Sequence, residues 1–209
     1  MNWPDLALRE ETRLLPRSPR PEPAEGFIVM HVNLTALFDL ARDVGLSEAM
    51  MLVVVKALRT RYGAFRMRVY DLAWRMGVSH RRVLRWLDRL VKHGIVVYTI
   101  QDFFDEDTVD VEIAEITKTR IFDRSVQIIL PTHHVEHALP PLGVTTFAVY
   151  LYLLMTEDRG GFHIDHLIAV VGLGSRFRAR RHLARLRRRG ILVRDAESDA
   201  FVLRDPKPL

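Results

Sequence analysis

The chain has 209 residues, 48% of them apolar, with a formal net charge of +5 and no cysteine. That length suits one large domain or two small ones, and the apolar content is that of a globular protein rather than a disordered one. The lack of cysteine excludes disulfides, thiolate metal sites and cysteine nucleophiles, while the positive balance favours acidic partners such as nucleic acid.

The opening Met1-Asn2-Trp3-Pro4-Asp5 has no basic-then-apolar signal pattern, and no apolar run approaches the ~18–20 residues that span a bilayer. The longest candidate, Ala49 to Leu58, is interrupted by Lys56 and suits a buried helix. The expected setting is the cytoplasm, in association with the nucleoid, with no membrane partner. Residues 1–26 carry Pro16, Pro19, Pro21 and Pro23 among Arg13, Arg17 and Arg20. Proline at this density blocks helix and ladder formation, which predicts a flexible, extended arm, either simply solvated or laid along DNA.

Beyond the arm the chain repeats once, with a period near 98 residues. The first copy, residues 27–113, opens with Phe27-Ile28-Val29-Met30-His31-Val32 and a short helix from Leu34 to Arg42. The second, residues 126–209, opens with Val126-Gln127-Ile128-Ile129-Leu130-Pro131 and the stretch from His133 to Leu139, and residues 114–125 join the two as a linker. Each copy then reaches a glycine and a hydroxyl, Gly45-Leu46-Ser47 and Gly143-Val144-Thr145, where Ser47 and Thr145 are expected to cap strongly apolar helices at about 48–61 and 146–157. Gly63 and Gly160-Gly161 are expected to end those helices.

The later part of each copy carries the chemistry. In the first, Leu72 to Met76 leads through Gly77-Val78 to Ser79 and then to His80-Arg81-Arg82-Val83-Leu84-Arg85-Trp86-Leu87-Asp88-Arg89-Leu90-Val91-Lys92-His93-Gly94. The pattern predicts a helix, a tight glycine turn, a serine N-cap, a second helix and a glycine stop. Val83, Leu87, Leu90 and Val91 fall on one helical face, and His80, Arg81, Arg82, Arg85 and Arg89 mostly on the other. The second copy has Gly172-Leu173-Gly174-Ser175, one residue longer in the turn, followed by Arg176-Phe177-Arg178-Ala179-Arg180-Arg181-His182-Leu183-Ala184-Arg185-Leu186-Arg187-Arg188. Each second helix is followed by two strand-like runs, Ile95 to Ile100 with Val109 to Ile113, and Ile191 to Arg194 with Phe201 to Arg204. A hairpin directly after a helix-turn-helix is a wing.

The run from Gly77 to Gly94 resembles the helix-turn-helix of winged-helix regulators, including those of the MarR type, and the order of elements in each copy matches that class. The likeness implies a mainly α fold with small β-hairpin wings, α+β in class, with two winged helix-turn-helix domains in tandem. Two such domains on one chain also resemble the layout of plasmid replication initiators. The implied partner is double-stranded DNA. A recognition helix needs an apolar face to dock on its own domain and a polar face that fits the major groove. Arginine near its start can pair with guanine O6 and N7, and arginines further along can reach phosphates. Ser79 and Ser175 begin the two helices. His80, Arg81, Arg82 and Arg85 are expected at one groove and Arg176, Arg178 and Arg181 at the other. Arg89, Arg180, Arg185 and Arg187 are expected on the backbone.

The first wing carries Asp102, Asp105, Glu106, Asp107 and Asp110, which phosphate would repel, so this wing is expected to point away from DNA or to meet a basic protein surface. The loop lacks the spaced ligands and glycine of a calcium site. His133, His134 and His137, with Glu136 nearby, lack the converging ligands that zinc requires and read as a polar helix start. Trp74 and Trp86 read as packing residues. Gly172-Leu173-Gly174 is too short to cradle phosphate, and no serine elbow, paired-carboxylate signature or HExxH motif proposes catalysis, so neither an enzyme nor a cofactor is expected. A sequence-specific transcriptional regulator is the first expectation, as a monomer or a homodimer. A plasmid or phage replication initiator working with the replication machinery comes second. Third is a protein–protein adaptor of the chromosome-partition type, which would not need so basic a helix face.

Overall fold

The computed structural model describes residues 11–14, 28–62, 67–103, 106–122, 128–157, 160–195, 200–204 and 206. The fold is mainly helical with small antiparallel sheets, an α+β class. After a short strand β1 (Glu11–Arg13) the first half runs β2 (Val29–Val32), α1 (Leu34–Val44), α2 (Leu46–Tyr62), β3 (Met67–Arg68), α3 (Val69–Met76), α4 (His80–Lys92), β4 (Val96–Phe103) and β5 (Glu106–Ile113). A helix α5 (Glu115–Phe122) follows. The second half repeats the order: β6 (Ile128–Pro131), α6 (Thr132–Leu142), α7 (Val144–Thr156), β7 (Gly161–His163), α8 (Ile164–Val171), α9 (Arg176–Arg188), β8 (Leu192–Arg194) and β9 (Phe201–Leu203).

The two apolar helices are central because they are apolar all round. Ala49 to Val55 of α2 and Phe147 to Leu154 of α7 are buried without a break, which only a helix packed on every side can sustain. They pack on each other, α2 also packs on α6, and α1 also packs on α7. One continuous core therefore runs through both halves.

Each of these helices starts at a glycine rather than at the expected hydroxyl. Gly45 and Gly143 adopt φ of 108° and 74°, close α1 and α6 through their amides, and offer their carbonyls to Ala49 and Phe147 at the start of the next helix. A positive φ suits glycine, so a single residue serves as both stop and start. Ser47 and Thr145 lie inside the first turns instead of capping them. Gly63 lies outside the described residues.

Both connecting segments carry regular structure. Glu115–Phe122, within the presumed linker, is a helix that buries Thr117, Ile121 and Phe122 and packs on α1 and β2. Within the segment taken as a flexible arm, β1 belongs to the body. It pairs antiparallel with β7, Thr12 and Leu14 are buried, and Leu14 forms a parallel bridge to Phe201 of β9. In the first half the sheet order is β3-β5-β4, with β3 paired directly to β5. In the second half β1 stands between the corresponding strands β7 and β9. Gly161 makes room for it: a Cβ there would lie 2.4 Å from the carbonyl oxygen of Thr12, and its φ is +154°.

Candidate nucleic-acid interface

The turn before α4 is built from backbone needs. Gly77, at φ 64°, ends α3, the amide of Val78 reaches back to the carbonyl of Ala73, and the carbonyl of Ser79 accepts from the amides of Arg82 and Val83. Ser79 occupies the N-cap position with extended backbone, although its hydroxyl makes no capping bond. Helix α4 then buries Val83, Trp86, Leu87 and Leu90 and exposes Arg81, Arg82, Arg85, Arg89 and Lys92. His80 is half-buried at its start. The apolar face differs from expectation at one position, Val91, which is exposed, while Trp86 packs in the core as expected. Trp74, expected in the core, is 60% exposed with Tyr70 on the outer side of α3.

Helix α4 is fixed at both flanks. The Tyr98 hydroxyl donates to Asp88 at 2.6 Å, and this bond is the main reason the phenol's pKa is pushed up to about 12. Arg89 donates to the buried carboxylate of Glu48, in the first turn of α2, at 2.7 Å.

The second helix repeats the plan with a longer turn, for which Gly172 and Gly174 both adopt φ of 73°. The Ser175 hydroxyl accepts from the amide of Arg178. Helix α9 buries Ala179, Leu183 and Leu186 and carries cations around the rest of its surface. Arg176 is clamped on Asp165 of α8 through two bonds of 2.8 and 2.6 Å, which hold the Asp165 carboxyl below the usual carboxylate range. Arg185 donates to the carbonyl of Pro141, one of the end groups that the last turn of α6 leaves unpaired. Arg187 lies over the ring of Phe201.

Along one flank of α9, Arg178, Arg181, His182, Arg185 and Arg188 line a cavity of about 550 Å³. Its other walls are Gly172, Leu173, Thr145 of α7 and Leu46, the first residue of α2. It therefore opens at the seam between the halves, and among the described residues no carboxylate lines it. His182 Nδ1 is 2.9 Å from the Thr146 hydroxyl. Burial, then the neighbouring Arg181 and Arg185, lower the imidazole pKa and favour the neutral ring.

The expected arginines thus divide. Arg81, Arg82, Arg85, Arg178, Arg180 and Arg181 are exposed, and among the described residues no carboxylate lies within salt-bridge distance of them. Arg89 and Arg176 are paired with carboxylates, and Arg185 donates to a carbonyl. Lys92 and Arg188, not singled out from sequence, continue the same stripes, and their spacing of three residues from Arg89 and Arg185 was the available signal. In the acidic hairpin, Asp102 stands opposite Asp107 in register, and the exposed Asp110 lies 3.8 Å from Arg59. Asp105 and the side chains of residues 101–107 fall outside the described residues.

His134 is buried with Nδ1 3.2 Å from the Tyr150 hydroxyl, and Glu136 pairs with Arg61. Among the described residues no histidine, aspartate and glutamate group has metal-binding geometry, and no helix is long and apolar enough to cross a membrane. The chain matches no family model, no curated protein and no solved structure.

Proposed function

We propose that this chain is a double-stranded DNA-binding protein of two winged-helix domains in tandem, acting as a sequence-specific transcriptional regulator. In each half a helix, a glycine turn, a second helix and a hairpin follow one another, as the winged-helix class requires. The observation that carries the reading is the state of the two second helices. Each docks its domain through leucines and turns toward solvent arginines that have no carboxylate partner among the described residues: Arg81, Arg82 and Arg85 on α4, and Arg178, Arg180 and Arg181 on α9. An exposed guanidinium row on a helix narrow enough for the major groove suits a polyanion. A protein adaptor would need no such row. The carboxylate-bound Arg89 and Arg176 then serve to fix the helices rather than to read bases.

Replacing Arg81, Arg82 and Arg85 together by alanine should weaken binding to duplex DNA by roughly 10²-fold or more, since each good base contact contributes ~1–3 kcal/mol. Native binding should fall steeply with salt, the log–log slope being about −0.9 per phosphate contacted. A gel-shift series with unchanged affinity for the triple variant, or a flat salt response, overturns the proposal.

A further inference from the structure

The two halves are joined in a self-complementary way. In the β2–β6 ladder Val29 stands opposite Pro131, Met30 opposite Leu130, His31 opposite Ile129 and Val32 opposite Ile128. These are the corresponding opening strands of the two repeats, so exchanging the halves turns the first pair into the last and the second into the third. The helix packing has the same property. The contact of α2 with α6 has its counterpart in α1 with α7, that of α3 with α6 in α1 with α8, and α2 with α7 is its own counterpart. An interface in which the main element pairings each have an exchanged mate is isologous and implies a two-fold axis, here an approximate one within a single chain. A head-to-tail arrangement would set β2 against some other element.

Helices α4 and α9 are therefore related by rotation rather than by translation, and they share a face. Arg89 of α4 reaches Glu48 in the first turn of α2, and the arginine flank of α9 shares its cavity with Leu46, two residues earlier. Both helices border the N-terminal end of α2. The halves differ, however, in what they present there. Buried Val83, Leu87 and Leu90 correspond to Ala179, Leu183 and Leu186, which makes Phe177 the counterpart of Arg81. Phe177 is 76% exposed in the first turn of α9, between Arg176 and Arg178. A phenyl ring makes no hydrogen bond to a base edge, and the one apolar group in the major groove is the 5-methyl of thymine. Arginine at the same place suits guanine.

We infer that the duplex this chain recognises is an interrupted inverted repeat with unlike halves, in which Arg81 meets guanine in one half-site and Phe177 meets a thymine methyl at the corresponding place in the other. The inference rests on the duplex-binding reading above and specifies its target. Two equivalent helices related by a two-fold enter successive major grooves about one helical turn, ~34 Å, apart.

The test is selection by the whole chain from a random-sequence duplex library, followed by replacement of each thymine in an enriched site by deoxyuridine. Enriched duplexes should hold two half-sites in opposite orientation. One replacement, in one half only, should weaken binding about fourfold, the worth of burying a single methyl group. Phe177→Ala, at an exposed position, should fold normally by circular dichroism and lose that response, while Arg81→Ala should relax the preference for guanine in the other half. Half-sites in the same orientation, a lone half-site, or a Phe177→Ala protein that still responds fourfold to the same replacement overturns the inference while leaving DNA binding intact. Failure to enrich any duplex overturns the binding reading and the inference together.

Discussion

At the scale of single residues, the same helix holds positions that act through packing and positions that act through charge, and the two separate by experiment. Leu87 is fully buried in α4, so Leu87→Ala should cost ~2–5 kcal/mol of stability by emptying a core position. An unchanged denaturation midpoint would mean that the faces of α4 are assigned wrongly. His182 offers a second measurement. Its folded pKa is lowered, chiefly by burial, so the unfolded chain binds its proton at higher pH than the folded one. Stability from this site is therefore complete above the ordinary imidazole pKa of ~6.5 and is lost as pH falls through the lower folded value. His182→Asn, which does not titrate, should lose less stability than the parent between pH 7 and pH 5. Equal losses in urea titrations would remove His182 from the account. The commitments of Arg89 and Arg176 were not legible beforehand, because their partners Glu48 and Asp165 lie on other helices, 41 and 11 residues away in sequence. Periodicity sorts residues onto faces but is silent about which cation a carboxylate across the fold will claim.

Among the elements, long periodic helices could be read from sequence, and short ones defined by distant partners could not. Helices α4 and α9 follow from leucine spacing, and their serine starts and glycine stops agree with the structure to within a residue or two. Helix α5 follows Ala114, which has no side-chain oxygen to cap it, and has a weak apolar pattern, so its identity comes from the surfaces of α1 and β2 beneath it. Strand β1 was the hardest to foresee, since three residues carry no readable alternation and its partner strand comes about 150 residues later. Its fit is testable at two neighbouring glycines. Gly161→Ala would drive a methyl into the Thr12 carbonyl, whereas Gly160→Ala, at φ +75°, meets nothing within 4 Å. The second change should cost about 1–2 kcal/mol from backbone conformation alone. The first should cost more and should also expose the opening residues to protease. Equal melting temperatures and equal cleavage would show that β1 does not hold on β7.

Taken whole, the molecule is a repeat whose halves complete each other. The duplication was visible in sequence because glycines, leucines and arginines return at nearly constant intervals. The shared core was not, because apolar helices look alike whether they face their own domain or its twin. Since α2 and α7 pack on each other inside one core, the halves should unfold together. All three tryptophans, Trp3, Trp74 and Trp86, lie in the first 86 residues, so fluorescence reports that part while circular dichroism reports every helix. Coincident transitions are expected, and an early fluorescence change with helix content retained would show two independent units.

The placement of β1 also has a consequence for how the protein is made. Ribosomes extend chains at ~5–20 residues per second, so β1 emerges roughly 8–30 s before the strand it must join. Through that interval the nascent first half carries a strand it has no use for, and the second half, once synthesised, closes its sheet with material kept in reserve at the far end of the polypeptide. Order of synthesis and order of assembly are thereby reversed for one small element, and a cut near the start of the chain would damage the part made last.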